Sequence, residues 1–213
     1  MTGLLKRIVV AGLLLGASGM LANAQRPQRD TFSDVDRSFE ISYPKSFRFV
    51  EPGHLDEVQR LSFIPVCQEA SVVCITYPRG KYPGTTFEGA GFEINLVSAK
   101  SQSMCLTPPS HPDTSAPGYS YRVAFVVSQT HASKVINGVT FEHGEAAGVA
   151  TGHVVSTDLY RTFHNGKCYE LSVNIAQSNF ERSPEGPREF NAEDSKRVDK
   201  DMNSILDSFK FLK

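Results

Sequence analysis

Three histidines, His143, His153 and His164, crowd into one stretch of the chain beside Glu142 and Glu145. These are the side chains most able to hold a transition metal or move a proton near neutral pH. On an extended strand His153 and His164 lie about 35 Å apart and on opposite faces, so no single site uses both. His143 and Glu145 share a face, and Asp158 on a neighbouring strand would supply a third ligand. The same residues also suit the polar surface of a hairpin, and that is the reading adopted. We expect no metal and no cofactor, with His143, Glu145 and Asp158 as the ligands if one is held.

Other reactive patterns are missing from the sequence. It contains no G-x-S-x-G, no Walker loop, no H-E-x-x-H and no strand-linked G-x-G-x-x-G, and Gly89-Ala90-Gly91 is a lone fragment. Sequence spacing does not test a glycosidase-type carboxylate pair, and the lack of Trp removes a common means of stacking sugars. No catalytic residue is assigned.

Cys67, Cys74, Cys105 and Cys168 form an even set with no CxxC pair and no zinc-ribbon spacing. In an oxidising compartment they are expected to close two bridges. Four cysteines permit three connectivities, and Cys67–Cys74 with Cys105–Cys168 is preferred. Residues 61–66 and 72–77 read as short strands, and pairing about Ala70–Ser71 would set Cys67 opposite Cys74. The chain-entropy argument gives about 2.5 kcal/mol for the short loop and about 4 kcal/mol for the long one.

That compartment is indicated at the N-terminus. Lys6 and Arg7 precede an apolar run from Ile8 to Leu15, broken by Gly12, Gly16, Ser18 and Gly19, and Ala22-Asn23-Ala24 offers a cleavage site. The run is shorter than the roughly 20 apolar residues of a membrane span. A signal peptide over residues 1–24 is expected, then a flexible leader over 25–38 and a single domain over 39–213. Cleavage would make the protein extracytoplasmic, periplasmic or secreted, with no span in the mature chain. Removing Lys6 and Arg7 leaves 20 basic against 23 acidic residues, a balance unsuited to nucleic acid or anionic lipid.

The elements follow from period and turn chemistry. Phe39-Glu40-Ile41-Ser42-Tyr43 alternates at period two, Phe47–Val50 follows a turn, and Ala90–Val97 reads as a further strand. Asn137-Gly138 and Asn165-Gly166 each mark a tight hairpin, because a type I′ turn needs two residues at positive φ. The second hairpin sets Phe163 against Cys168, Arg161 against Glu170 and Tyr160 against Leu171. Tyr160, Tyr169, Leu171, Val173 and Ile175 then form a core stripe, leaving Arg161 and Glu170 as an ion pair of little value on the other face. Val198, Met202, Ile205, Leu206 and Phe209 recur at helical spacing behind Asn191, a good cap, and Ser208–Leu212 suits a last short strand. Segments 78–89, 107–119 and 178–190 are loops by composition. The first and third mix basic and aromatic residues, as a recognition rim would.

The segment Phe39-Glu40-Ile41-Ser42-Tyr43-Pro44-Lys45-Ser46-Phe47-Arg48-Phe49 resembles the opening of Mog1/PsbP-like proteins, and Ile205-Leu206-Asp207-Ser208-Phe209-Lys210-Phe211 resembles their ending. The resemblance implies an α+β fold, an antiparallel sheet flanked by helices with a C-terminal amphipathic helix. The group includes a nuclear-transport cofactor, a photosystem subunit and exported bacterial proteins, which act mainly through protein contact. They share no catalytic constellation, so no functional residue is carried over. The cysteines and Pro-rich loops depart from the best-studied members and point to an exported bacterial branch. The expected function is non-enzymatic binding of a protein or envelope component. The alternative is a secreted hydrolase or small-ligand binder with a loop-built site.

Overall fold

The computed structural model describes residues 28–51, 54, 66–67, 71–107, 126–128, 132–150, 152–178 and 186–213. The expected signal segment, strand residues 61–65, loop residues 108–119 and residues 179–185 lie outside these.

Two Asn-Gly turns organise the larger sheet. Asn137 and Gly138 have φ of 47° and 83°, and Asn165 and Gly166 have 48° and 75°. Both pairs thus adopt the left-handed conformation that lets a two-residue turn follow the strand twist. The first turn joins β7 (Ser133–Ile136) to β8 (Val139–Ala150), and the second joins β9 (His153–His164) to β10 (Lys167–Ser178). The β9–β10 register pairs Phe163 with Cys168, Arg161 with Glu170 and Tyr160 with Leu171, as the sequence predicts. On its other edge β10 pairs with β5 (Phe87–Val97), making β10 the central strand. Adding β3 (Arg48–Val50), β4 (Val73–Thr76) and β6 (Val126–Ser128) gives the order β3-β4-β5-β10-β9-β8-β6, with β7 also on β8.

The strand pairing of β4 corrects one expectation. Its two edges are taken by β3 and β5, so Val73–Thr76 has no free edge to pair with 61–66. A strand has only two hydrogen-bonding edges, and residue 67 reaches Cys74 from outside the ladder.

One face of the sheet is apolar. Phe92, Ile94, Leu171 and Val173 are buried there beneath α2 (Ala192–Leu206). The helix contributes Val198, Met202, Ile205 and Leu206, and all four are fully buried together with Phe209. Asn191 Oδ1 caps the helix by accepting from the backbone N–H of Glu193 at 3.0 Å and of Asp194 at 2.9 Å.

A three-stranded sheet completes this layer, with β2 (Phe39–Pro44) between β1 (Arg29–Asp34) and β11 (Lys210–Phe211). Phe39 and Ile41 enter the core, and Phe39 stacks on Phe209 with ring centroids 5.7 Å apart. Residues 29–34, expected within a loose leader, are therefore a strand. Phe32 sits opposite Ile41 and stacks on Phe49 at 4.9 Å, while the remaining polar residues tolerate an exposed sheet edge. The fold is α+β, with two antiparallel sheets and a C-terminal helix.

Met202→Ala should lower stability by about 2–5 kcal/mol, and Asn191→Ala by about 1 kcal/mol. Urea unfolding midpoints measure both.

Candidate functional site

The face of the larger sheet opposite α2 is unexpectedly polar. Cys168, Glu170, Ser172, Asn174 and Ala176 alternate onto it from β10. Rows of paired residues then run across the strands: Asn95, Glu170 and Arg161; Glu93 and Ser172; Gly91, Asn174 and Thr157. Glu93 is 2% exposed and Ser172 is 1% exposed, so these are interior groups. Burying them requires hydrogen bonds. Ser71 Oγ donates to Glu93 Oε2 at 2.6 Å, Asn174 Nδ2 to Glu93 Oε1 at 3.1 Å, and Thr157 Oγ1 to Asn174 Oδ1 at 2.6 Å. Among the described residues, Asn95's side-chain amide and the Ser172 hydroxyl have no hydrogen-bond partner.

Both disulfides belong to this face. Cys74 lies opposite Glu93, and its bridge to Cys67 spans 6.0 Å between Cα atoms. The short helix α1 (Gln102–Leu106) carries Cys105, bridged to Cys168 with Cα atoms 5.5 Å apart. The preferred connectivity is the one present. The sheet also grips the backbone beside each bridge. Asn174 Nδ2 donates to the Val66 carbonyl at 2.9 Å, and Arg161 Nη1 to the Thr107 carbonyl at 3.3 Å. Gly91 admits the first of these segments, because a Cβ there would meet the Val66 carbonyl oxygen at 2.7 Å.

The expected surface pair Arg161–Glu170 is corrected by this arrangement. Arg161 Nε donates to Glu170 Oε2 at 2.7 Å, and the two side chains are only 12% and 9% exposed. The covering segment removes the solvent that would otherwise weaken the pair. Parity held the missed signal, since Glu170, Ser172 and Asn174 share their face with a bridged cysteine.

The three histidines have separate settings. His153 Nδ1 lies 2.5 Å from Glu88 Oε1 at one end of the polar face. His164 stacks on Phe211 with centroids 3.8 Å apart. His143 lies on the α2 side, stacked on Tyr160 at 4.6 Å, with Nε2 3.0 Å from Asp158 Oδ1. Glu145 stands directly opposite Asp158, and one ligand atom each from His143, Glu145 and Asp158 lies within 4.8 Å of the others. Burial, with the Asp158 charge adding to it, raises the Asp199 carboxyl above its ordinary range. Burial and the same carboxylates also push the Tyr160 phenol up.

Among the described residues of the loops expected to form a rim, the aromatics pack on one another. Tyr82 and Phe87 pack on Phe190 at 5.1 and 4.8 Å, and Phe190 is buried. Thr86 N donates to the Arg188 carbonyl at 2.9 Å, tying the two loops together. The exposed large apolar side chains among the described residues are Val35, Leu96, Met104 and Val135. Leu96 lies opposite Tyr169, whose hydroxyl donates to the Arg37 carbonyl at 2.7 Å, and Met104 precedes bridged Cys105. Lys167 Nζ donates to the Asp36 carbonyl at 3.3 Å. The Cys105–Cys168 bridge fixes α1 to the sheet while leaving Met104 on the surface.

The fold and this surface define a disulfide-bonded α+β module. No family model and no curated protein sequence matches the chain. Among solved structures it is similar to cyanobacterial PsbP (CyanoP) from Synechocystis sp. PCC 6803, with a TM-score of 0.46 and 11% identity, covering 92% of this chain and 99% of that one. It is also similar to LpqN of Mycobacterium tuberculosis, a protein involved in cell envelope biogenesis, at TM-score 0.45 and 12% identity over 87% and 91% of the two chains. The Ran-binding protein Mog1p of Saccharomyces cerevisiae gives 0.43 and 8% over 88% and 97%. PsbP and Mog1p are the proteins for which the group resembled by the chain's two ends is named. At these identities no residue or partner is carried across. Among the described residues no helix is long and apolar enough to cross a membrane.

Arg161→Met should cost about 3–5 kcal/mol, because it strands the buried Glu170 carboxylate, whereas Arg161→Met with Glu170→Leu should cost far less. A double-mutant cycle by chemical denaturation checks this. Replacing Cys105 and Cys168 together by Ser should cost about 4 kcal/mol, more than the same change at Cys67 and Cys74. The unfolding midpoints of the two double variants read that order.

Proposed function

We propose that the protein is exported, cleaved after Ala24, and acts as a non-enzymatic module that binds a protein or envelope component. The observation that carries this reading is Met104, exposed on α1 beside the Cys105–Cys168 bridge that holds this helix to the sheet. Fixed backbone lowers the entropy lost on docking, and exposed apolar side chains supply the contact energy. The two bridges support a working place outside the cytoplasm, where such bonds persist.

A photoreactive residue placed at the exposed Gln102 of α1 should cross-link one partner in the native envelope, and one placed at Val135 should not. Met104→Asp should lower the adduct yield by about tenfold or more while leaving the melting temperature unchanged. Recovery of monomer alone from position 102 would refute the docking surface. The intact mass should correspond to a chain starting at Gln25 with no free thiol; an uncut Met1 or four thiols would refute export.

A further inference from the structure

We propose that His143, Glu145 and Asp158 form a site for one divalent transition-metal ion, with zinc as the representative of the class. The ligand atoms already lie within 4.8 Å of one another, and His143 Nε2 is 3.0 Å from Asp158 Oδ1. Oxygen and nitrogen ligands on one tetrahedral zinc stand roughly 3.3 Å apart, so closure needs side-chain rotation only. The backbone is set by the ladder between two adjacent long strands, with Glu145 paired to Asp158 and His143 to Tyr160. Stacking on Tyr160 holds the imidazole plane.

Charge points the same way as geometry. Glu145 and Asp158 are like charges placed directly across a strand pair, an arrangement that destabilises a sheet unless a cation neutralises it. Asp199 from α2 adds a further carboxylate whose interaction with Asp158 is repulsive. Lys134, the neighbouring ammonium on β7, is engaged by Asp207 at 2.8 Å and lies over the Tyr160 ring. A bound dication would take the place of the hydrogen bond between His143 and Asp158. One imidazole with two carboxylates suits zinc, iron, nickel or manganese better than the all-oxygen preference of calcium or magnesium. Three protein ligands leave the remaining coordination positions to water. The site faces α2, whereas α1 with Met104 is bridged to the opposite face of the sheet, so neither reading depends on the other.

The test uses the full mature protein with both bridges closed, stripped by a chelator, desalted and titrated with zinc alone. One zinc per chain by elemental mass spectrometry and a higher melting temperature are expected. His143→Ala and Asp158→Asn should each weaken binding by more than about tenfold. The exposed Glu145→Gln should weaken it less, and His164→Ala should leave it unchanged. If His143→Ala fails to fold for want of its Tyr160 stack, Asp158→Asn carries the comparison. In the wild type, the Nε2 nitrogen resonance of His143 should move on zinc addition. A wild type that retains no zinc, an Asp158→Asn variant of undiminished affinity, or an unmoved His143 resonance would each overturn the site.

Discussion

The structure depends on β10, a strand buried on both faces with opposite chemistry on each. Leu171 and Val173 need an apolar cover, which α2 provides, while Glu170, Ser172 and Asn174 need hydrogen-bonding partners and shelter from water. A helix stripe meets the first requirement with shape alone. The second is stricter, because each buried polar atom left without a partner costs free energy, as the Asn95 amide and Ser172 hydroxyl do. The Asn174–Glu93–Ser71 chain and the Arg161–Glu170 pair are the result, and each joins different strands or segments.

That requirement explains where the disulfides sit. The apolar face attracts its helix over a large continuous surface and needs no covalent help. Covering a polar face gains little from burial, so the chain segments there are held by other means. Cys67–Cys74 fastens one segment and Cys105–Cys168 the other, and sheet side chains grip the Val66 and Thr107 carbonyls beside them. Gly91 leaves the space in which the first can lie flat. The second bridge also anchors α1, where Met104 remains exposed, so the same covalent device serves both the interior and the proposed contact surface.

Much of the topology was legible because its signals are local. A type I′ turn needs only two residues of the right kind, and both Asn-Gly hairpins form, the second in the expected register. The C-terminal helix is equally plain, since cap and stripe lie within twenty residues of one another. Failures came where solvent exposure had to be inferred. Arg161 and Glu170 were paired correctly and placed on the wrong side of the water boundary. Tyr82, Phe87 and Phe190 read as a rim because loop composition does not reveal that two loops pack together. Residues 29–34 lack strand alternation, and β1 exists because β2 has an edge to offer.

The sequence by itself determined strand periods, turn types, the helix and the even set of cysteines, all properties of neighbouring residues and their intrinsic conformational preferences. Tertiary structure alone decided which faces are dry. It also set Glu145 against Asp158 beside His143, although all three were visible as candidates. Their convergence depends on the stagger of β8 on β9, and a shift of one residue would send the facing side chains to opposite sides of the sheet. No pattern within either strand encodes that stagger; packing across the whole sheet fixes it.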